Sequence, residues 1–310
     1  MTTDPAATAA PDGNATAARD GNASAAKGEV AAAARNGNAS AAKGRVATTT
    51  RNGNASAAKG GGATMARDGN ASAALDGVAT AARDGVSVVI PTFNEAHSIA
   101  AVIHELPAAI ARQIIVADGG STDGTQDIAA RAGATVLDAG RGYGRACQAG
   151  AEAAAYPVIV FLDGDGADRG DLLAQIAEPV LAGTHDLVLA SRTRGQRDPG
   201  AMLWHQVLAG RAAGLGIGAL YGVHYSDMCA FRAIRRDALR RLDMREMTYG
   251  WNIEMQMKAA RLGLRIDEIP LPYRCRSAGQ SKVAGSLRGT LRAGGKIVST
   301  FIRVGLQPRR

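Results

Sequence analysis

The sequence has few aromatic residues, few cysteines and no long apolar run, and each shortage excludes a class of protein. Aromatic residues make up only 4% of the 310 residues. The cysteines Cys147, Cys229 and Cys275 are far apart in the sequence, which argues against a disulfide framework or a zinc site and fits a reducing cytosol. No stretch reaches the about 18 uninterrupted apolar residues that a membrane span needs. The N-terminus lacks a basic start followed by an apolar run, so we expect no secretory signal.

Positive charge predominates, with 36 Lys and Arg against 28 Asp and Glu and a formal net charge of +8. A basic balance favours anionic partners such as nucleic acid, a phosphorylated substrate or a lipid surface. Nucleic acid is the weakest of these, because the sequence contains no basic motif rich in aromatic residues. We therefore expect no nucleic-acid partner, and no segment indicates a defined protein partner.

Residues 1–84 are a low-complexity repeat. From Pro11 the chain falls into octads such as RDGNASAA and KGRVATTT, each with a glycine at its second or third position. Because the octads offer almost nothing large to bury, their composition favours a disordered tail. A stacked β-solenoid is the alternative interpretation of a fixed period, although no octad position carries a constant Leu, Ile or Phe. The Asn-Ala-Ser triplets match a glycosylation pattern, which we interpret as a by-product of the repeat.

Strand and helix patterns alternate after the repeat. Runs such as Val86–Ile90 and Val158–Leu162 are continuously apolar, as expected for strands that are covered by helices on both faces. The sequence predicts an α/β, Rossmann-like fold with a mostly parallel sheet flanked by helices. It divides the chain into the tail of residues 1–84, an α/β domain of residues 85–283 and a basic amphipathic segment of residues 284–310.

Charged residues follow four of the predicted strands. The sequence predicts five strands in this part of the chain, over residues 86–90, 113–117, 134–137, 158–162 and 187–190. Glu95 follows the first strand, Asp118 the second, Asp163 and Asp165 the fourth, and Arg192 the fifth. Ligands bind at the carboxyl ends of strands in open parallel sheets, so we expect these residues to converge on one edge. Several carboxylates on one rim repel each other unless a cation lies among them.

Asp163 and Asp165 are candidate metal ligands. Residues two apart in an extended segment point the same way, so both carboxylates can face one ion. Mn²⁺ and Mg²⁺ prefer oxygen ligands, and Mg²⁺ usually takes one or two carboxylates together with substrate phosphates. The alternative is a pair of solvated turn aspartates, since an isolated Asp-x-Asp also occurs by chance. The position directly after a buried strand favours the metal site.

Several motifs of the sequence, taken together, resemble those of a known family. VSVVIPTFNEAHSI, IIVADGGSTDGT and VIVFLDGDGAD, in this order and spacing, resemble the family 2 glycosyltransferases of GT-A fold. YSDMCAFRAIRRDAL, YGWNIEMQMKAARLGLRIDEIPLPY and RCRSAGQSKVAGSLRGT are similar to the branch that contains the polyprenyl-phosphate mannose and glucose synthases. The resemblance covers about residues 86–301. It implies an inverting transfer of a hexose from GDP-mannose or UDP-glucose to polyprenyl phosphate.

The resemblance also implies roles for individual residues. On the donor side, the matching positions are Pro91, Asn94 and Glu95 in the loop that borders the nucleotide, and Asp118 as the aspartate that recognises the base. Asp163 and Asp165 match the pair that holds Mn²⁺ or Mg²⁺ against the diphosphate. On the acceptor side, the matching positions are Glu254 on a helix, and Arg276, Ser281 and Lys282 near the acceptor phosphate.

Three positions depart from the family pattern. Gly119 stands where the family often has a second aspartate after the second strand. Ala167 stands where several relatives have a glutamine that helps to hold the metal, and Asp168 lies beside it. The third protein ligand of the metal is therefore open. Cys229 precedes the Phe-Arg-Ala stretch where close relatives often have Gly-Pro, so details of the acceptor site differ.

Two further residues are candidates with open alternatives. Arg141 lies in GRGYGRACQAG, which follows the third strand and lacks the Rossmann fingerprint. It lies either in a loop that faces the donor phosphates or at the plain start of a helix. Asp227 follows a glycine-rich stretch, at a position that is a candidate general base in family 2 enzymes. A buried turn aspartate is the alternative.

The C-terminal segment combines apolar residues at helical spacing with charges that are all positive. Such a helix can lie on an anionic membrane, or it can pack on the catalytic domain with its charges solvated. We favour a membrane-associated enzyme at the cytoplasmic face of the cell membrane. The alternatives are a transferase that acts on a lipid or saccharide hydroxyl, and a non-catalytic protein that binds nucleotide sugars. A hydroxyl acceptor would need a general base, and Asp227 or Glu254 would then matter more.

Overall fold

The computed structural model describes residues 85–277 and 287–307. The predicted tail, the predicted acceptor residues Ser281 and Lys282, and the predicted boundary after residue 283 lie outside these residues. The described strands are β1 Val86–Thr92, β2 Ala111–Asp118, β3 Thr135–Asp138, β4 Val158–Phe161, β5 Leu187–Ser191, β6 Arg232–Arg235 and β7 Ile266–Pro270. The described helices are α1 Ile99–Glu105, α2 Thr125–Arg131, α3 Tyr143–Ala153, α4 Leu173–Leu181, α5 Trp204–Tyr221, α6 Arg236–Leu242, α7 Trp251–Arg261 and α8 Leu287–Gly305.

The seven strands form one sheet in the order β3-β2-β1-β4-β6-β5-β7. β6 runs antiparallel to both of its neighbours, β4 and β5, and the other pairs are parallel. The predicted α/β fold with a mostly parallel sheet is therefore confirmed. Six strands run in one direction, so their carboxyl ends lie along the same edge of the sheet.

Both faces of the sheet are buried, which explains the continuously apolar strands. Alternate residues of a strand point to opposite faces. Val89 and Phe161 join one apolar cluster, with α3 and α7, and Val88 and Val160 join the other, with α1 and α4. Trp251 of α7 is fully buried and meets the Phe161 ring edge-on, with the ring centroids 6.2 Å apart.

The sequence pattern after the first strand predicts a helix over residues 96–110, and the helix in the structure is shorter. α1 ends at Glu105, and Leu106 has extended backbone angles. Pro107 is the cause, because the proline ring disfavours a helical conformation in the residue before it. A turn closed by Pro107 O and Ile110 N then leads into β2.

α5 and α8 contact each other. A Cβ atom on Gly216 of α5 would lie only 2.6 Å from a ring carbon of Phe301 on α8, so the two helices approach closely at this glycine. α5 covers most of residues 201–223, the longest apolar stretch of the sequence, which His205, Gln206 and Arg211 interrupt. Among the described helices, none combines the length and the apolarity needed to cross a bilayer.

Candidate active site

A cavity of about 880 Å³ opens at the carboxyl ends of β1, β2 and β4. Its walls come from the loops after these strands, from the start of α3, from residues 248–249 and from α8. The lining residues that bear charges are Glu95, Arg141, Asp163, Asp165, Arg276, Arg292 and Lys296. The cavity therefore places a carboxylate cluster and several cations around one space. Of the five residues predicted to converge at the strand ends, Glu95, Asp163 and Asp165 line it, whereas Asp118 and Arg192 do not.

Asp163 and Asp165 both line this cavity. The Tyr143 hydroxyl donates a hydrogen bond to Asp163 Oδ1 at 3.1 Å, and the Ala167 amide donates one to Asp165 Oδ1 at 2.9 Å. Asp165 Oδ2 lies 2.9 Å from Arg276 Nη2. The Arg276 guanidinium is thus a cation bound next to the Asp163 and Asp165 carboxylates. Two convergent carboxylates that already attract a cation fit a divalent ion, which would take its other ligands from phosphate and water.

Asp168, the neighbour of Ala167, is buried close to the carboxylate pair. Burial, with the charges of Asp163 and Asp165, raises the pKa of Asp168 to about 8, so its carboxyl favours the protonated form when no metal is bound. It lies beside the Cys229 thiol, with Sγ 3.8 Å from Oδ1. Within residues 85–277 and 287–307, no three His, Cys, Asp or Glu side chains form a group able to hold a metal.

The loop after β1 is held against the loop after β2. Pro91 and Glu95 line the cavity. Asn94 has a positive φ of 54°, a conformation that asparagine tolerates better than most residues. Its backbone amide donates to Ser121 Oγ at 2.7 Å, and its side-chain oxygen accepts from the Thr122 amide at 2.9 Å. These two hydrogen bonds of Asn94 hold the predicted nucleotide loop against the loop after β2.

Asp118 lies beneath the cavity and is not among the residues that line it. Its buried carboxylate accepts hydrogen bonds from Thr92 and Gln126 and from the hydroxyl and amide of Ser121. Burial raises the pKa of Asp118, but these hydrogen bonds outweigh it and hold the pKa below its usual value. These hydrogen bonds show that Asp118 stabilises the turn after β2. Recognition of the nucleotide base by Asp118 stays a prediction. The neighbouring Gly119 lines the cavity instead.

Arg141 lies in the cavity wall just before α3 begins. Its guanidinium carbon is 4.2 Å from the centre of the Phe93 ring, a cation–π contact. Both alternatives for this stretch therefore describe part of the structure, since the segment starts a helix and faces the cavity. Contact between Arg141 and a donor phosphate stays a prediction.

Arg192 and Asp227 form an ion pair behind the cavity wall. Arg192 Nε lies 2.7 Å from Oδ2 of Asp227 and Nη2 lies 2.8 Å from Oδ1, and Asp227 also accepts the Met228 amide. Burial raises the pKa of Asp227, but Arg192 and the hydrogen bonds outweigh it and keep the pKa below its usual value. Neither residue lines the cavity. This geometry favours the buried-turn interpretation of Asp227, and its action as a base stays a prediction.

Glu254 is fully buried on α7 and does not line the cavity either. Its Oε2 accepts hydrogen bonds from the amides of Arg245 and Glu246 at 3.0 and 2.7 Å. Its Oε1 lies 3.0 Å from Lys258 Nζ and 3.3 Å from Arg303 Nη2. Glu254 therefore joins α7 to α8 in this structure.

α8 is the part of the site that sequence reasoning missed. Arg292, Gly295, Lys296 and Ser299 line the cavity, while Ala293, Thr300 and Val304 are buried against the domain. The helix thus packs on the catalytic domain, as one of the two interpretations of the segment expects, and also closes the site. The spacing of Arg292, Lys296 and Ser299 places them on one helical face, but the sequence does not reveal what that face meets.

Comparison with known proteins agrees with this architecture. Residues 87–243 match the family model "Glycosyl transferase family 2". An uncharacterized glycosyltransferase of Mycobacterium tuberculosis is 37% identical over 211 residues, which cover 66% of this chain and 93% of that protein. The undecaprenyl-phosphate mannosyltransferase of Micrococcus luteus is 32% identical over 224 residues, which cover 66% of this chain and 89% of that protein.

A polyprenol monophosphomannose synthase of Mycolicibacterium smegmatis is 29% identical, over 64% of this chain and 81% of that protein. Among solved structures, glucosyl-3-phosphoglycerate synthase from Mycobacterium tuberculosis, crystallised with Mn²⁺, UDP and phosphoglyceric acid, superposes with a TM-score of 0.57 at 22% identity. The match covers 76% of this chain and 83% of that chain, and at this identity it supports the fold alone. The chain is thus a glycosyltransferase of GT-A fold and belongs to glycosyl transferase family 2.

Proposed function

We propose that this glycosyltransferase moves a hexose from a nucleotide-diphosphate sugar to a polyprenyl phosphate, with Mn²⁺ or Mg²⁺ held by Asp163 and Asp165. One observation carries the proposal. A single cavity holds the carboxylate pair together with the cations Arg141, Arg276 and Arg292. Such a site suits two phosphate-bearing substrates, because the metal binds one set of phosphate oxygens and guanidinium groups bind phosphates through paired hydrogen bonds.

The site chemistry follows from where charge develops. A bound divalent ion would neutralise the negative charge that forms on the leaving diphosphate. Tyr143 orients Asp163 through its hydroxyl, and the Ala167 amide orients Asp165. The acceptor attacks the anomeric carbon from the face opposite the diphosphate, so the configuration is inverted.

The positions of Asp227 and Glu254 favour a phosphate acceptor over a hydroxyl acceptor. A hydroxyl nucleophile needs a general base within hydrogen-bond reach. Asp227 is held in its ion pair with Arg192, Glu254 is held by Lys258 and Arg303, and neither faces the cavity. A phosphate oxygen is already an anion and needs no such base. The names of the Micrococcus and Mycolicibacterium relatives support the same acceptor class.

Exposed apolar side chains on two helices support peripheral contact with the cytoplasmic face of the cell membrane. Trp204, Leu208 and Leu215 on α5 are each more than half exposed, as are Leu291, Val298 and Ile302 on α8. Several large exposed apolar side chains on one helix face are typical of a membrane or protein interface. An amphiphilic acceptor that resides in the bilayer would meet the cavity beside this surface.

The test supplies radiolabelled GDP-mannose or UDP-glucose with Mn²⁺ and either a short-chain polyprenyl phosphate or the corresponding polyprenol. Label that enters the lipid only when the phosphate is present supports the proposal. Equal transfer to the alcohol favours the hydroxyl acceptor. Absence of turnover with tight donor binding favours the non-catalytic alternative and overturns the proposal.

A further inference from the structure

The three cations of α8 whose side chains are described differ in their partners. Lys296 Nζ lies 3.2 Å from Glu246 Oε2, and Arg303 Nη2 lies 3.7 Å from the same oxygen and 3.3 Å from Glu254 Oε1. These two cations are thus neutralised by buried carboxylates and hold the helix in place. Arg292 lines the cavity but forms no ion pair or hydrogen bond with any described residue.

An arginine on a cavity wall that has no partner among the described residues is suited to an anionic ligand. The guanidinium donates paired hydrogen bonds that match the geometry of phosphate oxygens. Arg276 lines the same cavity but is already bound to Asp165. Arg292 therefore has no ion pair within residues 85–277 and 287–307 to break before it binds a phosphate, whereas Arg276 has to leave its carboxylate.

Gly295 of α8 is a second, independent feature of the same wall. Glycine is one of the least favourable residues in a helix interior, yet Gly294 and Gly295 occupy the middle of this 19-residue helix. The fold does not require either of them, because a Cβ atom added at either position would meet nothing within 4 Å. Gly295 lines the cavity, whereas Gly294 does not. A side chain at position 295 would occupy space that the fold leaves open beside Arg292.

The outward face of the same helix is apolar. Leu291 precedes Arg292, and Val298 and Ile302 continue the face along the helix. An amphiphile could place its phosphate against Arg292 and the first units of its chain across Gly295 onto this face. A ligand without a chain would use the cation but not the open space.

We propose that α8 is the acceptor wall of the enzyme, in which Arg292 binds the phosphomonoester of the acceptor and Gly295 makes room for its hydrocarbon chain. This inference rests on the proposed function and assigns its acceptor subsite. It predicts different effects of the two residues on a lipid phosphate and on a small phosphomonoester such as glycerol 3-phosphate.

The first experiment measures steady-state transfer to short-chain polyprenyl phosphate in detergent by the full chain and its variants. Arg292→Gln should raise the apparent KM for the lipid about tenfold or more, as expected for one lost charged contact, and leave the KM for the nucleotide sugar unchanged. Arg292→Lys should retain part of the affinity. Arg240→Gln, which removes an exposed arginine from α6, is the matched control for net charge. An unchanged KM for the lipid in Arg292→Gln, or an equal rise in Arg240→Gln, overturns the assignment.

The second experiment compares Gly295→Leu with Gly294→Leu, because both replace a helical glycine by a better helix former. Both variants should keep or raise the melting temperature. Only Gly295→Leu should impair transfer to the lipid, by tenfold or more in kcat/KM, and any transfer to glycerol 3-phosphate should be affected much less. Equal effects of the two substitutions, or none, overturn the role of Gly295. If the unmodified enzyme transfers sugar to no phosphate acceptor, the proposed function fails. If the unmodified enzyme transfers sugar to lipid phosphate and the Arg292 and Gly295 variants do so equally well, only this inference fails.

Discussion

Arg276 and Asp165 form an ion pair in which Nη2 and Oδ2 are 2.9 Å apart. The contact lies on a carboxylate that we propose as a metal ligand. The backbone around Arg276 is fixed on the same loop, since the Ser277 amide donates to Asp165 O and the Arg274 amide donates to Ala167 O. A divalent ion held by Asp165 would approach the carboxylate that the guanidinium already occupies, so we expect metal and arginine to compete for it.

Arg276→Gln should therefore strengthen Mn²⁺ binding in the absence of nucleotide. We expect about a fivefold gain, equivalent to roughly 1 kcal/mol for a partly exposed ion pair. Titration of free Mn²⁺ by electron paramagnetic resonance measures it directly. Arg141→Gln is the control, because it removes a cavity cation that contacts Phe93 instead of Asp165. Equal gains in both variants would mean that general electrostatics, and not displacement, sets the affinity.

Asp163→Asn and Asp165→Asn should each abolish metal-dependent donor binding and turnover. The substitutions remove only the anionic oxygens, so the melting temperature should change little. Asp127→Asn on α2 is a control for the loss of one negative charge. Near-normal turnover in either site variant would refute the metal assignment.

Mn²⁺ binding should weaken as the pH falls through about 6. Burial and the charge of Asp165 raise the pKa of Asp163 to about 6, and the ion binds the deprotonated carboxylate. The affinity is thus fully present above this pKa and is lost below it. Tyr143→Phe should move the pH at which Mn²⁺ binding is lost to a higher value, because the hydroxyl that stabilises the Asp163 anion is removed. Loss of Mn²⁺ binding only near pH 4, in the unmodified enzyme and in Tyr143→Phe alike, would contradict this prediction.

Asp227→Asn should destabilise the fold by about 3 kcal/mol, because it leaves the guanidinium of Arg192 without its buried partner. Urea unfolding measures the change. If the pair acts mainly in stability, adding Arg192→Met to Asp227→Asn should recover part of the loss. A stable Asp227→Asn variant that has lost turnover would support the catalytic-base interpretation instead.

Deletion of residues 1–84 should leave the turnover and the melting temperature nearly unchanged. The octads supply almost no large apolar side chain, so the catalytic domain gains little core from them. Differential scanning calorimetry of the two chains is the comparison. A large fall in melting temperature on deletion would support the solenoid interpretation of the repeat.

The sequence predicts which edge of the sheet carries the site, but not which side chains face the cavity. A residue directly after a buried strand must lie at the carboxyl edge, and this places Glu95, Asp163 and Asp165 correctly around the cavity. Position along the chain does not determine the partner of a side chain. Arg192 meets a carboxylate 35 residues away, and this contact turns it away from the cavity.

The contribution of α8 escaped prediction for a similar reason. Its helical spacing and its charges are visible in the sequence, and the structure bears out the helix itself. Its position depends on contacts with Glu246 and Glu254, which are distant in sequence. Because the same composition fits a helix on a membrane and a helix packed on a domain, only the tertiary contacts distinguish the two.

Because α8 carries both an apolar face and a cavity face, its width limits the distance between a bilayer and the cavity. The apolar face with Leu291 and the cavity face with Arg292 belong to one helix, whose diameter with side chains is about 10 Å. If the apolar face rests on a bilayer, the reacting phosphate can stand no farther than about that height above the acyl chains. The helix would then select acceptors whose phosphate lies at the depth of the lipid headgroups. An acceptor group held far above the membrane by a long polar linker would not reach the cavity.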